Sequence, residues 1–175
     1  KKAISIETQT SIARTIFHYG HTKKVNGFWL NSPIDKSKPD EPRQLELNNQ
    51  RQGRGRIYDA LSRFFSSSRL SSFCKYANSL AMEVDPTLPD IDPSHLLVMY
   101  YVTSRNLGWH SDNGAQDGKS LQPVVSLSLG NTCDFQYKFS KTDEPKTIVL
   151  ESGDVLIFGG PARHVLHTVN KIYME

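Results

Sequence analysis

The period of the apolar positions divides the chain into an irregular start, a helical middle and a strand-rich second half. Residues 1–57 show no sustained period and read as irregular structure with short strands. Within them "GFWLNSPID" (27–35) carries an aromatic pair and then Ser-Pro, which favours extended or turn backbone. "IYDALSRFF" (57–65) spaces Ile57, Leu61 and Phe64/Phe65 as one helical face, predicting a short amphipathic helix. "RLSSFCKYANSLAMEV" (69–84) places Leu70, Phe73, Cys74, Ala77 and Leu80/Ala81 on one stripe, predicting a second. The prolines of "DPTLPDIDP" (85–93) end it.

From residue 95 the period drops to two. "HLLVMYYV" (95–102) reads as a buried strand. "PVVSLSLG" (123–130) alternates Val125, Leu127 and Leu129 with serines and stops at Gly. "CDFQYKFS" (133–140) alternates Phe135, Tyr137 and Phe139 with polar residues. "KTIVLE" (146–151), "SGDVLIFGG" (152–160) and "RHVLHTV" (163–169) complete the series, and "NKIYME" reads as a loop. Short strands at regular spacing after a helical start predict an α+β chain with an antiparallel barrel or jelly roll.

Composition narrows the setting. The chain has 175 residues, 37% hydrophobic and 10% aromatic. That suits one globular domain able to bury its own core. No apolar run approaches the roughly 18 residues of a membrane span, and the N-terminus has no apolar signal core. Cys74 and Cys133 stand far apart, which points to a reducing compartment and no structural disulfide; the setting expected is intracellular, nucleus or cytoplasm, with an organelle also open. The chain lacks an initiator Met, so it reads as part of a longer one. The net charge of +3 is too small to argue for nucleic acid. Its distribution says more, because Arg51, Arg54, Arg56, Arg63 and Arg69 cluster against the single acid Asp59. Arginine's planar fork suits phosphate, although a solvated basic loop is an equally good account.

The chemistry concentrates at "GWHSDNG" (108–114). His110 and Asp112 lie two apart and so project from one face of a strand. A non-haem Fe(II) site needs two His and one carboxylate on one side of the metal, with the opposite side open. The third ligand should come from a late strand, which leaves His164 and His167. If 163–169 is one strand, Arg163 and His167 share a face and His164 takes the other. An arginine beside a histidine is costly in a dry core but sensible at a polar barrel mouth, which favours His167.

"MYYVTSRNLGWHSDNG", "PVVSLSLGNTCDFQY" and "LESGDVLIFGGPARHVLHTV" resemble successive blocks of the AlkB family of Fe(II)/2-oxoglutarate dioxygenases. The blocks cover about residues 96–169, and the Gly-Gly-x-x-Arg-x-x-x-His pattern supports His167 as the third ligand. The resemblance implies a double-stranded β-helix (jelly roll) with N-terminal helices and a nucleotide-recognition lid. It divides one domain, 1–175, into a lid and extension (1–57), supporting helices (58–83) and a jelly-roll core (95–169). It implies iron held by His110, Asp112 and His167, with 2-oxoglutarate and O₂ as cosubstrates. The activity implied is oxidative demethylation of N-alkylated bases in DNA or RNA, by a monomer off the membrane, with release of formaldehyde, succinate and CO₂. Tyr101 and Arg163 match cosubstrate-site residues. Trp29 matches a lid aromatic, and Trp109 and Asn113 flank the metal pair as candidate substrate contacts. Arg54 and Arg56 would grip phosphates.

Three positions depart from the family pattern. Met99 stands where an Asn contacts the cosubstrate and cannot donate. Gly114 stands where bacterial AlkB has a base-reading acid, so base preference does not carry over. The terminal strand whose arginine binds the distal cosubstrate carboxylate is expected beyond Glu175. These departures keep two alternatives in view: an AlkB-like protein hydroxylase or demethylase, and a metal-binding module with weakened turnover.

Overall fold

Backbone ladders in the second half of the chain follow the two-residue period closely. The computed structural model describes residues 3–22, 46–49, 54–60, 67–93, 95–101, 107–112 and 122–174. It separates into two units, each held by its own contacts. One comprises residues 1–6, 73–92 and 106–175, the other residues 7–72 and 93–105.

The second unit holds helix α1 (Ile6–Thr22, apart from its first residue) and a three-stranded antiparallel sheet. The sheet runs β1 (Glu46–Asn49), β2 (Arg54–Ala60), β3 (His95–Tyr101). Two expectations fail here. Helix α1 lies where irregular chain was expected, because its apolar Ile6, Ile12 and Ile16 are separated by Ser and Thr and make a thin stripe. Glu7 in the first turn favours the helix by facing the positive end of its dipole. Residues 57–60 are strand rather than helix. Every position of β2 pairs with β3, from Arg54↔Tyr101 to Ala60↔His95. Ile57 and Tyr58 favour a pleated surface, and a nine-residue helix is too short to stand without strong packing. Residues 61–65 of that predicted helix lie outside the described residues.

In the first unit the chain builds two antiparallel sheets. One has the order β4 (Leu107–His110), β9 (Leu166–Ile172), β6 (Cys133–Lys138), β7 (Lys146–Leu150). The other pairs β5 (Val124–Leu127) with β8 (Val155–Phe158). Phe135 of β6 meets Phe158 of β8 at 6.4 Å between ring centroids, which joins the two sheets through an aromatic core. Phe135, Leu150, Val165 and Ile172 are buried. Strand β9 is flanked on both sides, and its neighbours His167 and Thr168, which point to opposite faces, are both buried. It runs on through residues 170–172, paired to β6 by Asp134↔Lys171 and Cys133↔Ile172, where a loop was expected.

Helix α2 (Ser67–Val84) matches the predicted span. Its inner face is rotated from the predicted stripe: Ala77 and Asn78 are buried, while Leu80 is exposed. Asn78 donates to the Pro89 carbonyl at 3.1 Å, which ties the helix to the Pro-rich segment after it. Burial pushes the thiols of Cys74 and Cys133 up, and both cysteines are free. No helix among the described residues is long and apolar enough to cross a membrane.

Two turns set the approach to β8 and β9. Gly153, at φ 87°, bends the chain between β7 and β8, and its N–H donates to the Ser128 carbonyl at 2.8 Å. After β8 the chain makes a single 3-10 turn, Gly160–Ala162. Gly159 before it is extended, and its constraint is space. A Cβ there would meet Pro123 at 3.0 Å and Leu88 at 3.1 Å. Gly159→Ala should therefore destabilise the protein by about 1–3 kcal/mol in urea unfolding. Gly108→Ala, with nothing within 4 Å of the added carbon, should stay within about 0.5 kcal/mol.

Candidate metal centre

Strand β4 places Gly108, Trp109 and His110 in succession, and β4 pairs with β9 so that His110 lies directly opposite His167. Directly opposed residues share a face of the sheet, and the two imidazole centroids stand 4.3 Å apart. Asp112 follows just past the strand end. Its Oδ1 lies 3.6 Å from His110 Nε2 and its Oδ2 lies 3.7 Å from His167 Nε2. Both separations exceed hydrogen-bond length. The three donor atoms lie within 4.8 Å of one another.

Each imidazole is fixed through its other nitrogen. His110 Nδ1 sits 2.8 Å from the Gly108 carbonyl, and His167 Nδ1 sits 3.1 Å from the Val165 carbonyl. A carbonyl only accepts, so each Nδ1 carries a proton, which leaves Nε2 as the nitrogen turned toward the shared space and able to ligate. This is how proteins fix the tautomer of a metal-binding histidine. Two imidazoles and one carboxylate converging from one side form the donor set of a non-haem Fe(II) site, and the residues fit such an ion.

The surroundings are asymmetric. The His167 side chain is only 8% exposed, against 35% for His110 and 31% for Asp112. Phe135 stacks on the His167 ring at 5.4 Å and 22°, and Phe158 approaches it at 5.3 Å. One flank of the cluster is thus an aromatic wall and the other is open. Burial holds the His167 imidazole below its ordinary value of 6.5. The Val165 carbonyl and the Asp112 carboxylate oppose that shift, while His110 and the Arg163 cation reinforce it.

The residues singled out from sequence fall in different places. His110, Asp112 and His167 come together, whereas His164 is exposed and its carbonyl accepts from Ser111 Oγ at 3.0 Å. Arg163 is not on the last strand. It follows the 3-10 turn, and β9 begins at Leu166, so the strand alternation assumed across 163–165 does not hold there. Its guanidinium donates to the Asp112 carbonyl at 2.7 Å and, through Nε, to the Gln122 carbonyl at 2.8 Å. Trp109 adjoins His110 on the strand and so points to the opposite face, where the Lys138 ammonium sits 4.8 Å from its ring centroid. Tyr101 closes β3 in the other unit, opposite Arg54. Arg54 and Arg56 lie on β2. Trp29 and Asn113 lie outside the described residues. Sequence reasoning missed Phe135 as the ring supporting His167. Its alternation marked an inward-facing residue, but its partner depended on the β6–β9 register.

Comparison with known proteins gives consistent matches. The family model described as the 2OG-Fe(II) oxygenase superfamily matches residues 1–175. A DNA N(6)-methyladenine demethylase of Arabidopsis thaliana, ALKBH1D, is 34% identical over 93 residues, covering 51% of this chain and 21% of that protein. The α-ketoglutarate-dependent dioxygenase AlkB of Escherichia coli is 34% identical over 85 residues, covering 48% of this chain and 38% of that protein. The chain thus spans well under half the length of the curated relatives it matches. The solved structure of OsALKBH1 superposes with a TM-score of 0.72 at 26% identity, covering 99% of this chain and 84% of that one.

The burial of His167 has a consequence for the metal-free protein. The folded state resists protonating this ring, whereas the unfolded chain takes up the proton near pH 6.5. Stability should be fully present above pH 6.5 and decline as pH falls from there toward the lower folded-state value. Urea unfolding at pH 7.5 and 5.5 measures the difference, and His167→Gln should shrink it.

Proposed function

Because the chain belongs to the 2OG-Fe(II) oxygenase superfamily, and within it to the AlkB family, we propose that it oxidatively demethylates N-alkylated bases of DNA or RNA. The fold is the family's jelly roll, and Fe(II), 2-oxoglutarate and O₂ are the family's cofactor and cosubstrates. One observation carries the reading: two imidazole Nε2 atoms and one carboxylate converge with their other polar atoms already engaged.

In this reading His110, Asp112 and His167 are the metal ligands. Bound Fe(II), with 2-oxoglutarate and O₂, supplies the oxidising power that hydroxylates an N-methyl carbon, the product losing formaldehyde as 2-oxoglutarate becomes succinate and CO₂. The protein's own part is positional. The Gly108 and Val165 carbonyls hold both rings in the ligating tautomer. Phe135 and Phe158 keep water from the His167 flank. The exposed side of His110 and Asp112 leaves the approach for cosubstrate and base. Tyr101 is proposed as a cosubstrate contact, and Trp29 and Asn113 as substrate contacts.

The plant relatives named as N(6)-methyladenine demethylases favour a methylated base. A nucleic-acid substrate also suits an intracellular setting, nucleus or cytoplasm. Arg54 and Arg56, close together on β2, are proposed as phosphate contacts.

Succinate release measured with a methylated oligonucleotide tests the chemistry. His110→Ala, Asp112→Ala and His167→Ala should each abolish it, while His164→Ala should keep it within about twofold of the parent. If a methylated peptide stimulates succinate release and no methylated oligonucleotide does, the substrate is protein. The phosphate role has its own measurement, oligonucleotide affinity against salt. Replacing Arg54 and Arg56 together by Ala should weaken binding for all sequences alike and reduce the salt slope by about 1 per arginine.

A further inference from the structure

Arg163 makes two bonds that a cosubstrate contact does not require. It is 7% exposed, and two of its N–H groups are spent on main-chain carbonyls, those of Asp112 and Gln122. One guanidinium thus ties the main chain at residues 112 and 122 to the turn before β9. A second link lies beside it, since Ser111 Oγ donates to the His164 carbonyl. Consecutive residues 111 and 112 are therefore fastened to consecutive residues 163 and 164. Asp112 lies beyond the end of β4, where the ladder with β9 no longer holds it. Among the described residues no ion pair includes Arg163.

We propose that Arg163 is a positioning residue for the metal centre: its buried fork holds the main chain at Asp112 so that the carboxylate stays aimed between the two imidazoles. The proposal rests on the metal-centre reading above. The fork geometry matters, because a guanidinium donates in two fixed directions at once and an ammonium does not. Anchoring the carbonyl of a ligand residue limits the swing of its side chain, the kind of support that tunes metal affinity from outside the ligand set.

The test is Mn(II) binding to the metal-free protein without 2-oxoglutarate, followed by titration calorimetry or Mn(II) EPR, with folding checked by circular dichroism. Arg163→Ala should weaken Mn(II) binding by about 10–100-fold. Arg163→Lys, which keeps the charge and loses the fork, should weaken it nearly as much, and Ser111→Ala by a smaller factor. Unchanged Mn(II) affinity in Arg163→Lys, with only 2-oxoglutarate binding weakened, would make Arg163 a cosubstrate contact and overturn the proposal. If Arg163→Ala does not fold, Arg163→Lys and Ser111→Ala decide: weakened Mn(II) binding upholds the proposal and parent affinity in both overturns it. His167→Ala separates the two readings. Parent-like Mn(II) binding in His167→Ala sinks the metal centre itself, whereas loss there with unaffected Arg163 variants sinks only the positioning role.

Discussion

The pairing of β4 with β9 is the constraint on which the site depends. Before folding, His110 and His167 belong to distant parts of the chain. The antiparallel ladder sets them directly opposite each other, and nothing local in the sequence could do so. The remaining features refine that placement. The β6–β9 register sets Phe135 against the His167 ring, and the Val165 carbonyl fixes its tautomer. Metal-binding geometry here is a property of strand register. A slip of one residue would turn His167 to the opposite face and take one ligand out of the cluster.

The cluster also resolves an electrostatic conflict. Two imidazoles, a carboxylate and a guanidinium lie close together in a partly buried place. Protonated histidines would repel one another and the arginine. Burial and the Arg163 cation both favour the neutral His167 ring, which is the form that ligates a metal. The carboxylate then remains the one negative donor, while the arginine's hydrogen bonds go to backbone oxygens beside it.

Much of this was legible in the sequence because it is written in short spacings. His-x-Asp marks two donors, although Asp112 falls just past the end of β4 rather than on the strand face, and Gly-Gly-x-x-Arg-x-x-x-His marks the third. Most strands from residue 95 onward announce themselves, 123–130 and 133–140 by alternation and others by short apolar runs with glycine and proline stops, whereas β4 is too short to stand out. Other features were not legible, for specific reasons. Residues 57–60 carry a pattern compatible with one helical turn, and only their pairing with four partners in β3, Val98 back to His95, makes them strand. Helix α1 has an apolar stripe too sparse to stand out. Arg163 was assigned to a strand because alternation was extended through residues that form a turn. Its bonds to Asp112 and Gln122 span long separations and involve backbone carbonyls, which no side-chain pattern encodes.

Trp109 carries a consequence of a different kind. The chain has two tryptophans, and this one is bonded directly to the residue bearing the His110 ring. Its indole is 42% exposed and faces Lys138 across the sheet, so its emission is sensitive both to solvent and to that cation. The strand that supplies a metal donor on one face thus displays on the other an exposed indole capped by a cation, so Trp109 reports on the outer surface of β4 rather than on the site behind it.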